Sequence, residues 1–168
     1  MKIRLETFSY RFAEQVLNSK FYIKQEIESI LFAFQINLTR LSLPKFNKIL
    51  EELFVNKGWE KQPSVLDEHA NPSAKMDFFK DRVGIEVAFG NSSFIGLDLL
   101  KFQVSSYSGL DKIDVGIYIV ATKNFQKTMI EKFGFNWMCS LSYEKVRNYL
   151  PRFQSAILVP LYVIGLDL

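Results

Sequence analysis

The segment from Met76 to Asn91 constrains this chain most: two short apolar runs, each holding one carboxylate, joined by the polar tripeptide Lys80-Asp81-Arg82. Residues 83–89 alternate, with Val83, Ile85, Val87 and Phe89 on one face of an extended strand and Gly84, Glu86 and Ala88 on the other. Glu86 is thereby set among strongly apolar neighbours. A bare carboxylate there is costly unless a cation meets it, and a divalent metal shared with Asp77 meets that need. Asp77 precedes Glu86 by nine positions, enough for a strand, a turn over 80–82 and a return strand that sets the two carboxylates side by side.

That spacing, followed by Val87, a third position at 88 and then Phe89-Gly90-Asn91, resembles the BglII/BstYI group of type II restriction endonucleases, within the PD-(D/E)XK nucleases. Lys57-Gly58-Trp59 upstream, a helix over 97–107, a strand over 114–120 and a closing strand over 159–166 stand in that family's order. The resemblance covers roughly residue 46 to the C-terminus. It implies an α/β fold with a PD-(D/E)XK restriction-endonuclease-like core, a central mixed sheet of roughly four to six strands flanked by helices and closed by the C-terminal strand. It also implies Mg²⁺-dependent, sequence-specific hydrolysis of double-stranded DNA, with the metal on Asp77, Glu86 and, by analogy, the backbone carbonyl of Val87. A homodimer on a palindromic site, and a cognate DNA methyltransferase as functional counterpart, come with the same resemblance.

One position departs from the pattern. Where the family carries Gln, Glu or Lys, this chain has Ala88, with no polar atom to handle a proton or a phosphate. Three readings stay open: the third-position function has moved to Lys101 on the following helix, water and metal carry the proton unaided, or Ala88 silences cleavage and leaves a DNA-binding protein. A structure-specific repair or junction nuclease of the same fold is a further alternative.

Composition bounds the rest. The 168 residues, 48% hydrophobic with sixteen Phe, predict a globular chain and exclude a disordered one. We expect a single endonuclease domain over 1–168, with an N-terminal helical part over 1–43 and a catalytic core over 44–168. A net charge of +3 permits binding to DNA without demanding it. Cys139 and His69 are the only cysteine and histidine, which excludes an internal disulfide and a zinc-ligand set, and Cys139 reads as a packed, inert thiol. The opening residues lack the apolar stretch of a signal peptide, and the longest apolar run, 156–166, is too short to cross a bilayer. The expectation is a cytoplasmic protein with no membrane partner. With Pro160 inside it, that run reads as a buried strand with a bulge or an edge at the proline.

Along the chain, apolar spacing over 10–34 predicts one amphipathic helix or two broken near Asn18. Pro44 and Gly58 bracket a helix over 44–56, whose Glu51 or Glu52 either approaches the metal or lies on a solvated face. Residues 60–75 read as a loop in which Gln62 and Lys75, with Lys61, Asn71 and Ser73, either touch the DNA backbone or form plain surface. The helix after the motif is expected to pack through Leu97, Leu99, Leu100, Val104 and Tyr107 and to stop at Gly109, with Lys101 the basic residue best placed to reach back. The strand over 115–121 reads as central and covered on both faces. Lys123, in the loop expected at its end, and Asn136, before a helix starting near Ser142, are further DNA-contact candidates. Asn91 either reads adenine through its amide or closes an Asx-turn at the strand end.

Overall fold

The computed structural model describes residues 3–33, 42–65, 75–137 and 141–168, and His69, Asn71, Ser73 and Cys139 lie outside them. The elements run β1 (Arg4–Tyr10), α1 (Ala13–Ser19), α2 (Phe21–Phe32), α3 (Leu43–Asn56), β2 (Glu60–Lys61), β3 (Phe78–Lys80), β4 (Val83–Val87), α4 (Ile95–Ser105), β5 (Val115–Ala121), α5 (Lys123–Phe133), α6 (Tyr143–Tyr149) and β6 (Leu161–Asp167). The strands form one six-stranded sheet in the order β1-β6-β5-β4-β3-β2. β4, β5 and β6 are parallel and the outer pairings antiparallel, so the sheet is mixed, as expected.

Helices cover both faces. α1, α2, α3 and α5 supply residues to one apolar core, and α4 and α6 to a second core on the opposite side. β5 has parallel neighbours on both sides and all seven of its residues are buried, which explains its nearly uncharged sequence. The break between α1 and α2 falls at Lys20, where the backbone leaves helical angles, close to the expected Asn18. Pro44 occupies the first turn of α3, and Gly58 turns the chain away at φ 80°.

Four expectations need correction. The N-terminal part, expected to be helical, opens with the strand β1, which pairs antiparallel with β6 from Arg4↔Asp167 to Tyr10↔Leu161. The C-terminal strand is therefore internal, and β1 forms the edge. An edge strand needs only partial burial, so its charged sequence carried no strong alternating signal. On α4, Leu97 and Leu100 are 50% and 55% exposed, and Tyr107, just past the end of the helix, also faces out, while Leu99, Phe102, Ser105 and Asp98 turn inward. The inward stripe contains an acid, which disguised it as the polar side.

Residues 123–133 form helix α5, where a loop was expected; Thr122 caps it, its hydroxyl accepting the Phe125 N–H at 3.0 Å. Finally, β6 starts only at Leu161. Pro160 stands just before it, its carbonyl accepting the Gly116 N–H at 2.9 Å, so the missing proline N–H falls at the mouth of the strand. Gly116 itself is required by close approach, because a Cβ there would lie 2.4 Å from the Phe102 ring. Its absence lets α4 settle onto the sheet. Among the described residues no helix is long and apolar enough to cross a membrane.

Candidate active site

β3 and β4 form a tight hairpin whose two turn residues, Asp81 and Arg82, both take left-handed angles, φ 48° and 63°. Such a turn matches the twist of the flanking strands but favours glycine or asparagine. Here it is held from outside: the Tyr22 hydroxyl donates to the Asp81 carboxylate at 2.8 Å and the Lys20 ammonium to the Asp81 carbonyl at 3.1 Å. Asp77 lies just ahead of β3, its amide donating to the Ile85 carbonyl at 3.1 Å and its carboxylate accepting the Val87 N–H at 2.7 Å. That bond ties the first acid to the strand carrying the second.

Glu86 is 3% exposed and projects from β4 toward α4. There Lys101 donates from Nζ to Glu86 Oε2 at 2.7 Å, to Asp98 Oδ1 at 3.2 Å and to the Lys75 carbonyl at 3.2 Å. Tyr118, the register partner of Glu86 on β5, donates its hydroxyl to Asp98 Oδ2 at 2.8 Å. Glu86 Oε1 is buried without a hydrogen-bond partner among the described residues.

Burial, and then the negative charge of Asp77, push the Glu86 carboxyl up to about 9 against the pull of Lys101. Burial also raises Asp77, an effect that the Val87 N–H and Lys101 only partly offset. For Lys101, burial alone would favour the neutral amine, but Glu86 and Asp98 outweigh it and hold the ammonium above its ordinary range. Tyr118 is kept protonated, first by burial and then by Asp98. Asp77, Glu86 and Asp98 thus share a single ammonium.

This surplus of carboxylate, with one oxygen orphaned, suits a divalent cation. Among the described residues no three acidic, histidine or cysteine side chains converge into a complete metal cage. Two carboxylates with the remaining ligands from backbone, water or substrate is the pattern hard Mg²⁺ accepts. Asp77 also lines a cleft of about 120 Å³ together with Asn47, Leu50, Glu51, Phe78 and Val87, large enough for a few waters. Of the two helical acids, Glu51 borders this cleft, although its carboxylate is paired with Lys61 at 2.7 Å, and Glu52 points to solvent.

Of the other expected residues, Ala88 sits half-buried against the core on the α4 side. Gln62 and Lys75 lie beside the acids, the first through its backbone N–H donating to the Asp77 carbonyl at 3.0 Å and the second through its backbone carbonyl accepting from Lys101. Asn91 is exposed, its side-chain oxygen accepting the Ser93 N–H at 2.9 Å, the Asx-turn geometry. Lys123 opens α5 with its amide on Glu144, and Asn136 is exposed beyond the Gly134 cap. Asp98, Tyr118 and Asn47 were not anticipated. The one available signal was an acid on an apolar stripe three positions before Lys101. A wider hollow of about 440 Å³ is lined by neither Asp77 nor Glu86, and there Arg82 is committed to Asp111 and Asp114 and Lys112 to backbone carbonyls.

The chain is thus a mixed-sheet α/β domain in which a hairpin brings two acids together. The family model described as restriction endonuclease BglII/BglIII matches residues 5–166, and the chain belongs to this family of endodeoxyribonucleases. In structure it is similar to restriction endonuclease BglII complexed with a DNA 16-mer, with a TM-score of 0.74 and 21% identity over 100% of this chain and 77% of that one. Free BglII matches with a TM-score of 0.63 and 21% identity, over 98% of this chain and 79% of the other. These structures share the fold. No curated protein matches the chain in sequence.

Proposed function

We propose that the protein is a type II restriction endonuclease that hydrolyses double-stranded DNA at a specific sequence with Mg²⁺. The observation that supports this most is the buried Glu86 carboxylate, with one oxygen on Lys101 and the other orphaned, coupled to Asp77. An arrangement that leaves a buried acid short of positive charge is costly to keep for structure alone. Asp77, Glu86 and the Val87 carbonyl would hold the metal. Bound there, it supplies a water of lowered pKa and neutralises charge on the leaving oxygen.

Lys101 takes the part that Ala88 lacks. Its ammonium lies on the face from which Glu86 and Ala88 project, and its solvent-exposed contact with the Lys75 carbonyl is the one a phosphate oxygen can replace. Gln62, Lys75 and Lys123 would contact the DNA backbone, and Asn91 and Asn136 the bases. One site cuts one strand, so a homodimer fits a two-fold DNA site. Phe94, Leu97 and Leu100, exposed at helical spacing, give that second copy an apolar face. A cognate methyltransferase would protect the host's own sites.

The test is incubation with phage DNA in Mg²⁺ and in EDTA, beside Ala88→Gln and Lys101→Ala. Discrete Mg²⁺-dependent fragments from the natural sequence, lost in Lys101→Ala, are expected. Fragments from Ala88→Gln alone would instead favour a DNA-binding protein silenced at position 88. Cleavage confined to branched substrates would favour a structure-specific nuclease.

A further inference from the structure

Lys101 reaches the acids from a neighbouring helix at the end of a long side chain, and such a chain gives up much rotamer freedom when fixed. A single contact with Glu86 leaves the ammonium free to swing about that point. The structure supplies a second anchor. Asp98, one helical turn earlier on α4, is buried and divides its carboxylate, Oδ1 accepting from Lys101 at 3.2 Å and Oδ2 from the Tyr118 hydroxyl at 2.8 Å. Tyr118 is fully buried on β5, beside Glu86 in register, and its ring packs edge-on against Phe102 at 5.8 Å.

The polar chain therefore runs from strand to helix and back to the adjacent strand: Tyr118, Asp98, Lys101, Glu86. Its rigid end is the tyrosine, fixed by the sheet and by α4 pressing on Gly116. The three protons of the Lys101 ammonium meet three acceptors: Glu86, Asp98 and the Lys75 carbonyl. Two of these lie in the interior and the third opens to solvent.

We infer that Asp98 and Tyr118 are positioning residues, a buried clamp that aims the Lys101 ammonium so that one of its protons points out of the protein toward the scissile phosphate. The inference rests on the proposed role of Lys101. The clamp explains how a lysine borrowed from a helix can be as well directed as one built into the strand at position 88. Neither Asp98 nor Tyr118 touches the substrate. Removing either leaves Lys101 charged and present but poorly aimed.

The experiment compares Tyr118→Phe, which deletes one oxygen and keeps the ring, with Asp98→Asn, Lys101→Ala and the Asp98→Asn/Lys101→Ala double variant. The first readout is NMR relaxation of the Lys101 side chain in metal-free protein, with exposed Lys127 as the reference for a mobile lysine. The second is the single-turnover cleavage rate on phage DNA in Mg²⁺, beside retention of the same DNA in Ca²⁺. Lys101 should be ordered in the natural sequence and approach the mobility of Lys127 in both clamp variants. Cleavage should slow about tenfold in Tyr118→Phe and about ten- to a hundredfold in Asp98→Asn, with DNA retention within about twofold. In the Lys101→Ala background, Asp98→Asn should cost nothing more.

An ordered Lys101 with undiminished cleavage in both clamp variants would overturn the clamp and leave the role of Lys101 standing. A further loss in the double variant would overturn it too, since Asp98 would then act without the lysine. Undiminished cleavage by Lys101→Ala would overturn the underlying role of the lysine, and with it the inference.

Discussion

The two faces of β4 and β5 are built by alternate residues of the same strands, yet they differ in almost every physical respect. On one, Phe46, Phe89, Phe125 and Trp137 form a closed aromatic cluster with ring centroids 5.0–6.3 Å apart, mostly edge to face. On the other, Glu86 and Tyr118 meet Lys101 and Asp98 in a buried polar chain with one oxygen left over. The aromatic face gains burial and ring contacts worth about 0.5–1.5 kcal/mol per pair beyond area. The polar chain opposes folding, because its carboxylates are desolvated with too little positive charge, and the apolar core around it offsets that cost. Both sides of the sheet carry an apolar core, but the aromatic cluster lies on one and the proposed chemistry on the other.

The largest effect that would sharpen this contrast is catalytic. Glu86→Gln or Asp77→Asn should reduce Mg²⁺-dependent cleavage of phage DNA by about a thousandfold or more, while melting temperature holds or rises. Retained cleavage in either variant would remove the acids from the reaction. Next in size is the opposite face: Phe46→Ala should lose about 3–5 kcal/mol in urea unfolding, with cleavage per folded molecule little changed at low temperature. A variant as stable as the natural sequence would show that the aromatic cluster is not the anchor.

A smaller, pH-dependent effect follows from Glu86. Its folded-state value of about 9 lies above its ordinary 4.5, so the folded state holds this proton more tightly than the unfolded state does. The associated stability is complete below about pH 4.5 and is lost as pH climbs through 9. Metal-free protein should therefore unfold at progressively lower urea between about pH 6 and 9, and Glu86→Gln should flatten that slope. In the natural sequence, Mg²⁺ should bind more tightly as pH rises, since it displaces the proton. A flat profile over that range would mean that Lys101 already keeps Glu86 ionised.

The smallest expected change is at Asn91. Asn91→Ala should cost about 0.5–1 kcal/mol through loss of its cap on Ser93. If Asn91 also reads a base, as proposed, discrimination between cleavage sites should weaken by about 1–3 kcal/mol, which fragment patterns on phage DNA would reveal. Unaltered fragments with the small stability loss would confine Asn91 to the turn.

Much of this architecture follows from chain-local physics. The alternation over 83–89 set the aromatic side against Glu86, the short polar turn made the hairpin that brings Asp77 alongside, and Pro44, Gly58 and Ser142 marked helix ends through φ preference and capping. Period two and period 3.6 are properties of the backbone itself, so they survive in the sequence wherever one face is apolar. Lys101 could be read as the basic residue best placed to reach back, but the partners it meets there could not. β1 joins an edge and needs little burial, so it left no clear pattern, and α4 hides an acid on its inward stripe, so of its expected packing residues Leu99 and Val104 meet the core while Leu97, Leu100 and Tyr107 face out. The meeting of Lys101 with Glu86, and of Asp98 with Tyr118, was decided only when α4 packed across Gly116 onto β5. Periodicity tells a side chain which way to point, but its charge partner is supplied by a different element, and that pairing exists only in the packed tertiary structure.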